Sequence, residues 1–202
     1  MTNTTWLSSF EERKKQEGQQ FWLVISFFEK SWFKVEDVHE KKQYFEDDID
    51  LIVWAWDIYH TVEVKFDDYI HRTENFFFEI ISNEEKATKW CFLKSKADIF
   101  LYYDKHNHIW YFFSMPLMQK WFFDIRKRYN SKNIKEIDKD FKLKSTHTPW
   151  DDWIYQHTTI WRLANKNRVL KSCEKMWIPY FIKNMDKDDI TLDDLLKLSL
   201  AS

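Results

Sequence analysis

The amino-acid sequence predicts a mixed α/β fold, in which a central mixed β-sheet is flanked by helices. Two observations support this: segments rich in β-branched and aromatic residues fill the middle of the chain, and segments with a helical period stand before and after them. A chain of 202 residues, 44% hydrophobic and 32% charged, is large enough for one domain with its own core. We therefore predict a single domain over 1–202, with its core at about 8–130 and a partly helical C-terminal extension at about 131–202.

The first predicted element is a helix over about 8–30. Charged residues fill 11–15, and the apolar residues Phe21, Val24 and Phe28 follow on one side. Six segments favour extended backbone and are predicted as strands, at 32–38, 49–56, 61–66, 75–81, 99–103 and 109–113. The last two flank the polar residues 104–108 and give the strongest hairpin signal in the chain.

The rest of the chain mixes short apolar segments with long polar ones. Residues 90–97 predict a short helix or turn over the sheet, and Pro116 can open a helix that runs to about 129. The polar, lysine-rich stretch 130–151 is typical of a long loop, whereas 153–182 is ambiguous. At the C-terminus, Thr191 is expected to cap an amphipathic helix within 188–200.

Glycine is almost missing from this sequence. Gly18 is the single glycine, although average usage gives roughly 14 in a chain of this length. Turns that need a positive φ are therefore expected to use Asn or Asp, the next most tolerant residues. The asparagines in suitable positions are Asn107, Asn130, Asn133, Asn165, Asn167 and Asn184. The lack of glycine also excludes the Gly-rich phosphate loops of P-loop NTPases and of dinucleotide-binding domains.

Charge and cysteine content exclude further classes of protein. A net charge of −2 is not that of a generally cationic nucleic-acid-binding protein, although 31 Lys and Arg residues leave room for a local basic groove. Cys91 and Cys173 are too few for a disulfide framework or a Cys-rich zinc site, so we expect reduced thiols. The N-terminus does not resemble a signal peptide, and the longest apolar stretch, 21–28, is too short to span a membrane. These features predict a soluble, cytoplasmic protein.

Two residues of opposite charge stand out on the third predicted strand. Glu63 and Lys65 are two positions apart, so their side chains emerge on the same face, while Val62, Val64 and Phe66 point into the core. Placing charged side chains between buried apolar neighbours costs free energy, so such residues are candidates for binding or catalysis. Taken alone, however, this spacing is explained more simply by an exposed ion pair on the solvated face of a sheet.

Asp50 adds a second carboxylate to the same face. It opens the preceding strand, and a hairpin turn within 56–61 would bring it back beside Glu63. Two neighbouring carboxylates repel each other, and a hard cation such as Mg²⁺ relieves the repulsion. Such a metal can activate water and stabilise a phosphodiester transition state, while Lys65 orients the nucleophile or neutralises developing charge. The constellation therefore points to metal-dependent phosphodiester hydrolysis.

The ordered motifs resemble those of the PD-(D/E)XK nuclease superfamily, in particular its phage- and virus-type members. Asp50 is followed on the next strand by Glu63-Val64-Lys65, and the segments 49–50, 61–68, 72–79 and 95–98 are similar to the layout GID, EVK-D, TGN-FFE and SKAD. The resemblance covers about 10–113, and more weakly the chain to about 170. It implies a restriction-endonuclease-like core and a viral endonuclease or exonuclease that uses Mg²⁺ or Mn²⁺. The implied catalytic residues are Asp50, Glu63 and Lys65, of which Asp50 and Glu63 are the metal ligands.

Three further residues are candidate supporting groups. Glu79, on the following strand, is an additional metal ligand, a residue that supports the metal ligands, or a plain surface residue. By the same resemblance, Glu17 on the first helix can point into the site, a role for which Glu11, Glu12 and Glu29 compete. Gln43 either orients water or substrate or, more simply, is an ordinary loop residue. The expected partner is single- or double-stranded DNA, whose phosphates can follow the basic stretches 142–144 and 162–171. No membrane partner is expected, a homodimer is a candidate state, and the cytoplasm of a host cell is the expected location of a viral protein.

Two departures from the layout leave other functions open. Asp48 and Glu74 stand where the layout has glycine, and both add negative charge near the expected metal site. They can strengthen cation binding, or they can repel DNA and leave a nuclease fold without activity. The second function is therefore an inactive nuclease-fold module that binds nucleic acid or a host protein. A third is an assembly protein in which the acidic and basic residues form ion pairs across an interface.

Overall fold

The computed structural model describes residues 18–83, 88–89, 91–129, 141–149 and 156–199. Within these residues the chain forms a helix, α1, at 18–30, ten strands and six further helices. The strands are β1 (Lys34–Asp37), β2 (Leu51–Ala55), β3 (Ile58–Asp67), β4 (Asn75–Asn83), β5 (Thr88–Lys89), β6 (Ile99–Asp104), β7 (Ile109–Ser114), β8 (Phe141–Pro149), β9 (Gln156–Asn165) and β10 (Tyr180–Asn184). The helices are α2 (Lys42–Phe45), α3 (Ile70–Thr73), α4 (Cys91–Lys94), α5 (Met115–Tyr129), α6 (Lys166–Met176) and α7 (Leu192–Ser199).

The first sheet contains six of the described strands, in the order β1-β2-β3-β6-β7-β10. Strands β3 and β6 are parallel and the other neighbouring pairs are antiparallel, so the sheet is mixed. All six predicted strands are present, one of them as β4 outside this sheet, and the predicted hairpin is β6–β7. The prediction of an α/β fold with a central mixed sheet and helices is therefore confirmed.

Apolar side chains cover both faces of the first sheet. On one face, Val24, Phe27 and Phe28 of α1 pack with inward-facing residues of β2, β3, β6 and β7. On the other face, Phe76 and Phe78 of β4 pack with aromatic residues of β6 and β7 and with the apolar side of α5. The sheet is thus the middle layer, between α1 and the second sheet to which β4 belongs.

Strand β3 divides apolar and charged side chains between these two faces. Val62 and Val64 join the cluster under α1. Glu63 and Lys65 emerge on the opposite face because side chains alternate along a strand. In the parallel pairing with β6, Lys65 lies beside Tyr102, which belongs to the cluster under β4. The charged face of β3 therefore points towards the second sheet.

The second sheet is antiparallel and has the order β5-β4-β9-β8 among the described strands. The prediction of a loop over 130–151 is wrong for 141–149, which form β8. Lysine alternates with apolar residues at 141–144, and an edge strand tolerates lysine because charge discourages pairing with another chain. The ambiguous segment 153–182 contains β9, α6 and the start of β10, so the C-terminal part of the chain supplies strands to both sheets.

Helix α7 begins with the predicted cap. The Thr191 Oγ1 accepts a hydrogen bond from the Asp194 N–H at 3.2 Å, and the Asp194 carboxylate accepts one from the Thr191 N–H at 2.9 Å. Leu195 and Leu198 are buried in the cluster under α1. No helix in the described part of the chain has the length and apolar character needed to cross a membrane.

Six described residues other than glycine have a positive φ: Trp32, Asp48, Trp56, Glu74, His108 and Trp177. The prediction of Asn or Asp at such positions holds for Asp48. It is wrong for the four named asparagines that the structure describes, Asn107, Asn165, Asn167 and Asn184, whereas Asn130 and Asn133 lie outside the described residues. Asparagine is used for capping instead, since Asn165 accepts a hydrogen bond from the Arg168 N–H at the start of α6. The three tryptophans are between 86% and 96% exposed.

Candidate active site

Asp50 and Glu63 lie next to each other at the open end of the β2–β3 hairpin. A two-residue turn, Trp56-Asp57, joins the two strands, which pair in antiparallel register back to Leu51 and Val62. The Asp50 N–H donates to the Val62 carbonyl at 2.9 Å, and the carboxyl groups of Asp50 and Glu63 are in hydrogen-bonding contact. The structure thus brings together the two residues that the sequence nominated as metal ligands.

The Asp50 carboxyl is held in a poorly solvated environment. Its pKa is raised to about 6, chiefly by burial and to a smaller extent by the nearby charge of Asp48. The hydrogen bond from the Val64 N–H to Oδ2, at 2.8 Å, and the proximity of His39 and Glu63 act in the opposite direction. The ionised form of Asp50 is therefore less favourable than that of an exposed carboxyl, and a bound cation would stabilise it.

Two residues of the segment before β6 fix the backbone on either side of this acidic pair. Thr61 donates through its N–H and its hydroxyl to the Asp98 Oδ2, both at 2.9 Å. The Ser95 hydroxyl donates to the Asp48 carbonyl at 2.9 Å. The sequence alone predicts no role for Ser95 and Asp98 beyond their place in the SKAD motif. Their three-residue spacing, on a polar segment before a strand, is the signal that could have found them.

Lys65 is paired with Glu79, which was one of the candidate supporting residues. The Lys65 Nζ lies 3.2 Å from the Glu79 Oε2, and the two side chains are 24% and 12% exposed. The same Nζ lies 5.0 Å from the centre of the Phe77 ring. Lys65 emerges on the same face of β3 as Glu63, at the next in-facing position, roughly 7 Å along the strand. The ion pair therefore joins the first sheet to the second beside the acidic pair.

The other two candidate supporting residues gain no assigned role. Gln43 is exposed on α2, where it lines a surface depression with Lys41, Lys42 and Glu46. Glu17 lies outside the described residues. Their functions stay predictions.

The acidic pair fits a magnesium-type cation better than zinc. Among the described residues, no group of three or more His, Cys, Asp or Glu side chains is arranged to hold a metal ion. Mg²⁺ is commonly bound by one or two carboxylates, with water and substrate phosphate as its other ligands, and Mn²⁺ prefers similar oxygen donors. Two touching carboxylates, one of them with a pKa raised to about 6, match that donor set. Structural zinc requires four N or S donors and does not match.

Asp48 and Glu74 occupy the positions where the motif layout GID, EVK-D, TGN-FFE and SKAD has glycine. Both residues have a positive φ, of 45° and 50°. Glycine favours this backbone conformation because it has no Cβ. The Asp48 carboxylate lies 3.4 Å from the Lys94 Nζ, which partly balances its charge. Glu74 is exposed and ends α3, with its N–H donating to the Ile70 carbonyl. At these two positions this chain adopts, with acidic residues, a backbone conformation that favours glycine.

A comparison of the chain with family models, with curated proteins and with solved structures finds no match. The resemblance to the PD-(D/E)XK superfamily accordingly stays a prediction from the order of the motifs in the sequence.

Proposed function

We propose that this protein is a divalent-metal-dependent nuclease that hydrolyses phosphodiester bonds in DNA, with a site of the PD-(D/E)XK type on a restriction-endonuclease-like sheet. The observation that carries the proposal is the contact between the Asp50 and Glu63 carboxyl groups on the face of β3 that also bears Lys65. A pair of partly desolvated carboxylates beside a lysine is unfavourable without a cation and an anionic substrate.

Each side chain has a separate task in the proposed reaction. Asp50 and Glu63 would hold Mg²⁺ or Mn²⁺, and when bound that ion activates water and withdraws charge from the phosphate. Lys65 places a positive charge next to the acidic pair, where it orients the attacking water or stabilises charge on the phosphoryl oxygens. Glu79 holds the Lys65 ammonium by the 3.2 Å ion pair. Burial of Asp50 and Glu63 limits competing water.

The test is a cleavage assay with the full chain, using single- and double-stranded DNA with and without Mg²⁺ or Mn²⁺. Lys65→Met removes the charge and keeps most of the side-chain volume, so we expect a loss of about 100-fold or more in cleavage rate. Lys96→Met is the matched control, because Lys96 also forms an ion pair, with Asp47 at 2.6 Å, but is exposed. Robust cleavage by Lys65→Met, or equal losses in both variants, would contradict the assigned role of Lys65.

A second candidate function is a catalytically inactive module that binds nucleic acid or a host protein. Two observations favour it: the Lys65 charge is balanced by Glu79, and Asp48 adds negative charge close to Asp50. Under this alternative, fluorescence anisotropy with labelled DNA would show binding, and no metal-dependent product would form. A metal-dependent cleavage product that disappears in Glu63→Gln, with the exposed Glu36→Gln as control, would exclude this alternative.

A further inference from the structure

Strand β4 of the second sheet contributes to the position of the Lys65 ammonium. Two groups that contact this ammonium, the Glu79 carboxylate and the Phe77 ring, lie on β4. Lys65 itself lies on β3 of the first sheet. Any shift of β4 relative to β3 would therefore change the length of the ion pair and the direction of the ammonium group.

Tyr102 links β4 to the first sheet directly beside Lys65. It is the residue of β6 that pairs with Lys65 in the parallel register. Its hydroxyl accepts a hydrogen bond from the Phe77 N–H at 2.9 Å and donates a short one to the Asp67 Oδ2. The side chain is fully buried, and burial together with the Asp67 charge raises the pKa of Tyr102 well above its usual value, so the hydroxyl stays protonated and remains a donor.

Asp67 completes the link on the other side. It lies two residues after Lys65 on β3, on the same face, and it is buried. Its Oδ1 accepts hydrogen bonds from the Tyr69 N–H at 2.5 Å and the Ile70 N–H at 3.0 Å, at the start of α3. Helix α3 leads directly into β4. One carboxylate therefore fixes both the beginning of the connection to β4 and, through Tyr102, the strand itself.

We propose that Tyr102 and Asp67 are positioning residues for the Lys65 ammonium. The hydrogen bond between Tyr102 and Asp67 fixes the position of β4 against the first sheet. The position of β4 in turn determines the geometry of the ion pair between Lys65 and Glu79. The catalytic consequence rests on the proposed nuclease function, but the placement of Lys65 does not. A purely structural role for the two residues would lower stability and leave the chemical environment of Lys65 unchanged in the folded protein.

The test measures the reactivity of Lys65 towards an amine-acylating reagent in the folded full chain, read by peptide mass spectrometry. Tyr102→Phe removes only the hydroxyl, and Asp67→Asn removes the charge and one acceptor oxygen. We expect acylation of Lys65 to become about threefold faster in Tyr102→Phe, similar to Glu79→Gln, because the half-buried ion pair is loosened. Asp67→Asn should show a smaller increase. Lys96 serves as the internal reference lysine.

Tyr103→Phe is the matched control, since Tyr103 is the next residue of β6, is buried, and points its hydroxyl to the Met185 Sδ at 3.8 Å on the opposite face. It should leave Lys65 reactivity unchanged. An unchanged Lys65 rate in Tyr102→Phe, or an equal rise in Tyr103→Phe, would overturn the proposal, as would a Glu79→Gln variant without effect. If Tyr102→Phe does not fold, Asp67→Asn decides by the same criterion.

Nuclease activity gives a second and independent readout. If the wild-type chain cleaves DNA, Tyr102→Phe should lower kcat and leave KM for DNA within about twofold, because only the placement of a transition-state group changes. If the wild-type chain does not cleave DNA, the proposed function fails, and the acylation experiment still decides the role of Tyr102 and Asp67.

Discussion

Removing the charge of Asp50 should stabilise the metal-free protein at neutral pH. Asp50→Asn keeps an oxygen that can accept the hydrogen bond from the Val64 N–H. Raising a carboxyl pKa from 3.8 to about 6 corresponds to about 3 kcal/mol of unfavourable free energy for the ionised form. A neutral acceptor makes a weaker hydrogen bond, which offsets about 1 kcal/mol. We therefore expect Asp50→Asn to raise the free energy of unfolding by about 2 kcal/mol.

The pH dependence of this gain has a defined sign. Because the folded pKa of Asp50 is raised, the native state binds more protons than the unfolded state between about pH 4 and about pH 6. The contribution of Asp50 to stability is full below about pH 4 and is lost as the pH rises through about 6. The difference in unfolding free energy between Asp50→Asn and the wild type should grow across this window and level off above it. Urea titrations at several pH values measure it.

Mg²⁺ should reverse the ranking of the two proteins. A ligand that binds only the native state at 100 times its Kd adds about 2.7 kcal/mol, and the variant lacks one of the two proposed ligands. Asp57→Asn, at the exposed turn of the same hairpin, is the control and should behave like the wild type. A metal-free Asp50→Asn protein that is less stable at neutral pH, or that keeps the wild-type pH dependence, would refute the reasoning.

Three further predictions concern the rest of the molecule. Trp56→Gly should stabilise the protein by about 0.5 kcal/mol in urea unfolding, because φ is 54° and the side chain is 86% exposed. Glycine relieves about 1–2 kcal/mol of backbone strain, which is more than the free energy lost through the greater entropy of the unfolded chain. Cys173 should resist thiol reagents until the protein unfolds, because it is fully buried and burial raises its pKa to about 12. Phe76→Ala should cost about 3–5 kcal/mol in urea unfolding, since Phe76 is fully buried and its ring contacts three others edge-on.

Each of these predictions has a control and a contrary result. Trp177→Gly, at a φ of 57°, should also stabilise the protein, whereas Trp54→Gly within β2 should destabilise it, and lower stability of Trp56→Gly would contradict the strain argument. Mass spectrometry of the peptide that contains Cys173 gives the labelling rate, and fast labelling of the native protein would contradict its burial. A cost below about 1 kcal/mol for Phe76→Ala would mean that the aromatic cluster repacks.

The acidic pair could be predicted because its geometry is local in sequence. Alternation along β3 put Glu63 and Lys65 on one face, and a tight hairpin returned Asp50 to Glu63. The pairing of Lys65 with Glu79 was not predicted, because it depends on how two sheets pack. The sequence offered Glu79 only as an additional ligand, as a group that supports the ligands or as a surface residue. Strand β8 was missed because its lysines are typical of a loop, and its strand character comes from the pairing with β9.

The conformations of the turns were predicted less well. Propensity favoured Asn or Asp for positive φ, and Asp48 agrees, but the local geometry also imposes it on Trp32, Trp56 and Trp177. The intrinsic preference for Asn or Asp amounts to about 1 kcal/mol, which strand pairing and helix packing readily exceed. Asp48 was noticed for its charge, while its positive φ became visible only with the backbone.

The acidic pair and the Lys65–Glu79 ion pair depend on contacts between residues that are separated by very different lengths of chain. Asp50 and Glu63 meet through a hairpin, whereas β4, which bears Glu79, is held by β9, with Asn75 paired to Asn165. Closing the longer connection loses more conformational entropy and is slower. During refolding we therefore expect the Val64 amide to gain protection from hydrogen exchange before the β4 amides that pair with β9. The carboxylates would face each other first, and Lys65 would receive its counter-ion last.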